Sequence, residues 1–155
     1  MEKSSHAMRR KPQVKRLSSK GSPLCPLERD EHNRVISWAK LMVSTGQEPR
    51  LRFLRSGFEG LRLTMGVRMQ VKRQTVSVGF PDLFLAVPVW GLKHYCGLFV
   101  ELKRLKGGTV SAEQAIMIGD LQSLGYKAIV CRGADHAISE IKRYLGISQL
   151  SGNSG

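Results

Sequence analysis

GFPDLFLAVPVWGLKHYCGLFVELKR, residues 79–104, holds two apolar runs of strand length, Asp82 to Val89 and Gly97 to Lys103. Trp90, Gly91 and His94 make the connection between them turn-rich, so the pair predicts a hairpin. The second run is apolar apart from Glu101 and Lys103, which stand two apart and therefore share one side of a strand. Asp82 opens the first run behind Pro81, so a carboxylate pair and an ammonium group can converge on the sheet. Burying Glu101 in such a strand is expensive unless a cation compensates it. Mg2+ prefers carboxylate oxygens and retains waters, which makes a hard-ion site able to deliver hydroxide to a phosphodiester one reading of the pattern. Lys103 would then hold the nucleophile or stabilise charge developing on the phosphate. A surface ion pair on an edge strand is the other reading, and spacing alone leaves both open.

Outward from this hairpin the chain is mixed. Upstream, Val35, Ile36, Trp38, Ala39, Leu41 and Met42 recur at helical spacing, and Glu28, Asp30 and Glu31 fall in the first turn, where the helix dipole favours acids. Downstream, Ser111-Ala112-Glu113-Gln114 opens an amphipathic helix that closes at Gly125. A short strand from Lys127 to Cys131 and a last helix from about Ala134 to Leu145 follow. The order helix, strands, helix, strand, helix belongs to an α/β domain, and 155 residues suit one such domain with a tail. Residues 27–147 form that domain, flanked by a basic arm, 1–26, and a fraying end, 148–155.

The charge is uneven. Of a formal net charge of +13, residues 1–26 hold +6 and residues 50–73 another +6. The first block, rich in Ser, Pro and Lys without hydrophobic period, predicts a disordered arm. The second interleaves Arg with Gly and apolar residues, which fits phosphate contact by a loop more than a merely solvated face. A polyanionic partner follows from the excess. No run of about 18 apolar residues and no signal-like N-terminus is present, which weakens membrane-spanning and exported readings. Cys25, Cys96 and Cys131 are widely spaced and odd in number, so neither a disulfide framework nor a zinc site is indicated, a reducing cytoplasm fits, and Cys96 and Cys131 read as small strand residues.

Several alternatives are set aside on pattern. His32 reads as a helix-surface residue, and His94 has no companion motif of an HNH site. Gly107-Gly108 lacks the surroundings of a phosphate-binding loop. Trp38 and Trp90 read as packing and turn residues, with no aromatic cluster on which bases could stack. Gln114, three residues after Ser111, completes a capping box and can also serve a site.

Gly79-Phe80-Pro81-Asp82, followed after 18 residues by Glu101-Leu102-Lys103, resembles the core of the PD-(D/E)XK nucleases, and its surroundings resemble their VRR-NUC branch. The likeness runs through Val71 to Leu85, Gly97 to Arg104, Ser111 to Gln114, Leu121 to Tyr126 and Ile138 to Leu145, and weakly upstream around Trp38. It implies a restriction-endonuclease-like fold, a central mixed sheet flanked by helices, and Mg2+ or Mn2+ dependent hydrolysis of phosphodiesters. Residue by residue it implies Asp82 and Glu101 as metal-binding acids, Lys103 as catalytic lysine and Gln114 as the glutamine of the next helix, with the Leu102 carbonyl also reaching the metal. The first-helix acid of the family corresponds to Glu28, with Glu31 as fallback. His32 replaces the glutamine usual four residues later, and Thr64-Met65-Gly66-Val67-Arg68 keeps only the Gly and Arg of the family's turn. The expected partner is DNA, branched as in a Holliday junction, met by a homodimer through contacts from Arg68, Lys72, Arg73 and Arg104. The likeness is to stand-alone proteins of phage or bacterial type; a flap or end-processing nuclease, or a non-catalytic DNA-binding module of the same fold, is the alternative.

Overall fold

A computed structural model describes residues 26–57, 64–74, 76–91 and 93–147. It opens with helix α1, Glu28–Ser44, then a 3-10 helix, Pro49–Phe53, strand β1, Leu54–Ser56, and helix α2, Met65–Gln74. Strands β2, Leu83–Leu85, and β3, Leu98–Lys103, lead to helix α3, Ala112–Ser123, strand β4, Lys127–Arg132, and helix α4, Ala134–Leu145. The sheet order is β1-β2-β3-β4, antiparallel between the first three and parallel between β3 and β4. The mixed α/β architecture expected from the sequence is thus the one the chain adopts.

Alternation along β2 and β3 divides the core in two. Leu83, Leu85, Leu98, Val100 and Leu102 face α1 and α4, where Val35, Ala39, Ala137 and Ile141 complete one cluster. Phe99, on the other face, packs with Leu121 and Ala128 under α3, and Phe84 stacks on it at a centroid distance of 4.3 Å. Helix ends follow their local chemistry. Ser111 and Gln114 form the reciprocal capping box at the start of α3, and Gly146, at φ 67°, closes α4 in the left-handed conformation.

Three sequence expectations change. The first strand of the hairpin is Leu83–Leu85 rather than 82–89, with Val89 making only an isolated bridge to Tyr95. The basic block at 50–73, expected as a loop, contains the 3-10 helix, β1 and α2. Cys131 is the small buried strand residue expected, whereas Cys96 is exposed and precedes β3. The basic arm, apart from Pro26, and the end from 148 onward lie outside the described residues.

Candidate active site

In the β2–β3 register Leu83 faces Val100, so one step beyond the ladder Asp82 comes opposite Glu101. Asp82 does not continue the pairing. Its Oδ2 instead accepts the Leu102 N–H at 2.8 Å, which fixes the aspartate against β3 where the ladder ends. The preceding loop is held from the other side. Gly79 has φ 82°, and a Cβ there would lie 2.7 Å from the Glu113 carbonyl carbon and 2.9 Å from the Gln114 nitrogen. Only glycine allows the GFPD turn to lie this close to the first turn of α3.

That contact brings Gln114 to the strand. Its Oε1 accepts the Ser111 N–H at 3.0 Å while its Nε2 donates to Glu101 Oε1 at 2.5 Å, so the cap and the site use opposite ends of one amide. Lys103 Nζ stands 2.6 Å from the same oxygen. Glu101 is 1% exposed and Lys103 7%, so the pair lies inside the fold and the surface-pair reading is excluded. Glu101 Oε2 is buried with no hydrogen-bond partner among the described residues.

The electrostatics show a shortage of positive charge. Burial pushes the Glu101 carboxyl up to about 7, against the pull of Lys103 and with the Asp82 and Glu28 carboxylates adding to the rise. Burial likewise raises Asp82, opposed by the Leu102 N–H and reinforced by Glu28. For Lys103 burial acts downward, but its hydrogen bond to Glu101 and the surrounding carboxylates outweigh it and hold the ammonium above its usual value. Three acids and one ammonium at a strand end make an acidic corner that a cation would complete.

Residues 29–135 match the model of the VRR-NUC domain. The chain belongs to the VRR-NUC family. VRR-NUC is a nuclease-family domain, which makes the chain a hydrolase in general terms. A solved VRR-NUC domain protein shares its fold with a TM-score of 0.61 and 23% identity, over 81% of this chain and 93% of that one. No curated protein matches the chain.

Within the VRR-NUC fold the two candidate acids of α1 have different surroundings. Glu31, 2% exposed, turns toward α4: its Oε2 accepts the Ala134 N–H at 2.8 Å and pairs with Arg34 at 3.1 Å. It does for α4 what Gly133, lacking a side chain, cannot. Glu28 instead lines a cleft of about 420 Å3 together with Asp82, Leu102 and Arg104. His32 lines that cleft too, with its Nε2 3.0 Å from Ser56 Oγ, so it joins α1 to β1 rather than lying free on the helix surface. Ser56 carries no motif, and its place beside the cleft was hidden because β1 spans only three residues.

The metal expectation can be tested on the donor set. Among the described residues, no three His, Cys, Asp or Glu side chains form a ready-made metal cluster. Mg2+, however, is usually held by one or two carboxylates with waters and substrate phosphate oxygens, so a complete protein cage is not required. The unpaired Glu101 Oε2 beside Asp82 meets that requirement. Of the cations expected to touch DNA, Arg68, Lys72 and Arg73 lie along α2, their side chains outside the described set, whereas Arg104 borders the cleft. Among the described residues no helix is long and apolar enough to cross a membrane.

Proposed function

We propose that this chain is a metal-dependent DNA endonuclease that hydrolyses phosphodiester bonds in branched DNA such as a Holliday junction. The observation that carries the reading is the buried, unpaired Oε2 of Glu101 within a corner shared with Asp82, Lys103 and Gln114. A structural salt bridge would use both oxygens of such a carboxylate, because an unsatisfied buried oxygen costs on the order of 1–3 kcal/mol. Asp82 and Glu101, with Glu28 and the Leu102 carbonyl, are the groups that would hold Mg2+ or Mn2+. When bound, that cation supplies Lewis-acid polarisation of the phosphate and an activated water near neutral pH.

The remaining work falls to the chain. Gln114 and Lys103 both bond Oε1 of Glu101, which orients the carboxylate with its second oxygen uncommitted. Lys103 stays charged because the acids around it raise its pKa, so its ammonium can hold the attacking water or neutralise charge building on the phosphate. Asp82 is held by the Leu102 N–H and cannot drift from the strand end. Arg68, Lys72, Arg73 and Arg104 supply phosphate contacts that position DNA without reading its sequence. A homodimer would present two such sites to a two-fold symmetric junction.

The test is a panel of junction, flap, nicked, duplex and single-stranded DNAs, each with Mg2+, with Mn2+ and with chelator. Paired cuts in the junction that require the cation support the reading. Preferential trimming of flaps or ends would replace it with the end-processing alternative, and tight binding without cleavage on every substrate would leave a DNA-binding module.

A further inference from the structure

Arg104 follows Lys103 on the chain, so where the ammonium turns toward Glu101 the guanidinium falls to the opposite side, into the cleft beneath α1. Its Nε is buried and has no partner among the described residues. Buried guanidinium donors are almost always paired, so an orphan facing a cleft marks the place where an absent acceptor belongs. The cleft is large enough for a piece of substrate, at about 420 Å3, and Asn33 and Arg29 line it as further donors.

Its other wall is set in place. The bond between His32 and Ser56, at 3.0 Å, ties α1 to β1 across the cleft, and Gly108 approaches the Arg104 backbone so closely that a Cβ there would lie 3.0 Å from the Arg104 nitrogen. Glu28 and Asp82 line the same cleft and repel a free anion. What fits is an extended polyanion with one charge at the acidic, cation-completed end and the next at Arg104. A nucleic-acid backbone has that form, and the planar guanidinium fork suits a phosphate.

We propose that Arg104 grips one backbone phosphate next to the scissile one, and that this single contact sets the register of the strand over Asp82 and Glu101. The inference rests on the proposed nuclease function, and it differs from diffuse attraction by the basic blocks in naming one phosphate.

The experiment neutralises phosphates one at a time. A junction carrying a single methylphosphonate at each position around the cleavage site is titrated with the full chain in Ca2+, for wild type, Arg104→Gln and Arg104→Lys, each checked for an unchanged melting temperature. Wild type should lose about 10-fold in affinity at one position adjoining the cut, whereas Arg104→Gln should already be weakened on unmodified DNA and lose less than about 2-fold there, with a salt slope lower by about 0.9. Arg104→Lys, which keeps the charge and loses the fork, should fall between them. In Mg2+ the cut made by Arg104→Gln should spread to neighbouring bonds. If the scan of Arg104→Gln has the same profile as wild type, the phosphate contact is elsewhere and the inference fails while the nuclease reading stands. If the chain binds none of the DNAs, the proposed function fails and takes the inference with it.

Discussion

Glu48 and Glu101 are two buried glutamates, 5% and 1% exposed, with opposite fates. Glu48 spends both oxygens on Arg50: Oε1 accepts from Nε at 2.7 Å and from the backbone N–H at 3.2 Å, and Oε2 accepts from Nη2 at 2.7 Å. Arg50 in turn donates to the Leu145 carbonyl at 3.0 Å, tying the 3-10 helix to the end of α4. The hydrogen bonds from Arg50 lower the Glu48 carboxyl below its usual value, whereas burial pushes Glu101 up to about 7. A carboxylate that supports a fold is satisfied by it. Glu101 is satisfied at Oε1 alone, by Gln114 and Lys103, and keeps a buried, unpaired Oε2 on β3.

The largest expected effect separates these corners by chemistry. Lys103→Ala or Asp82→Ala should reduce cleavage by at least about 10²-fold, or about 2.7 kcal/mol of transition-state stabilisation, while circular dichroism and DNA affinity stay near wild type. Wild-type cleavage by either folded variant would remove that residue from the site. Glu48→Ala should do the reverse. Losing the hydrogen bonds between Glu48 and the half-exposed Arg50 should destabilise the fold by about 1 kcal/mol, seen as a lower urea midpoint, with the turnover of the folded fraction unchanged.

Much of this contrast is legible in the amino-acid sequence, and the missing parts share a cause. GFPD and ELKR announce themselves because a charged pair interrupts an apolar strand and glycine and proline mark the turn before it. The double role of Gln114 is visible in S-A-E-Q. The division of labour between Glu28 and Glu31 is not, because Glu31 is committed by the Ala134 N–H, 103 residues away in sequence. Strand β1, with three residues, is too short to show alternation, and α2 contains Gly66 and β-branched Val67 and Val71, which weaken a helical signal.

Acidity sharpens the comparison at the next level of effect. In the metal-free chain Glu101 has a pKa of about 7 against an ordinary 4.5, so its contribution to stability is full below about pH 4.5 and is lost as the pH rises through about 7. Glu48, lowered from 4.5, contributes above that value and loses the contribution as the pH falls through its folded pKa. Glu101→Gln should therefore flatten the decline in melting temperature between about pH 5 and 8, and Glu48→Gln should flatten the acid limb instead. Unchanged slopes in both variants would mean that neither carboxyl titrates differently on folding.

The smallest effect concerns the two basic blocks. Changing Arg68 and Lys72 to Ala should weaken binding across DNA sequences and lower the salt slope by about 0.9 for each phosphate that is no longer neutralised. Deleting residues 1–26 should reduce affinity and leave the positions of the cuts alone. If neither slope moves, the basic excess serves something other than the DNA path.

The most direct measurement is thermal melting of wild type, Glu101→Gln and Asp82→Asn in chelator and in Mn2+ at a pH just above neutral. A cation that binds only the folded chain stabilises it by RT ln(1 + [L]/Kd), about 2.7 kcal/mol at a hundred-fold excess over Kd. Wild type should melt several degrees higher in Mn2+, and both variants should lose most of that shift. An equal Mn2+ shift in all three chains would show that the cation does not bind at Asp82 and Glu101, and the account would fail at its centre.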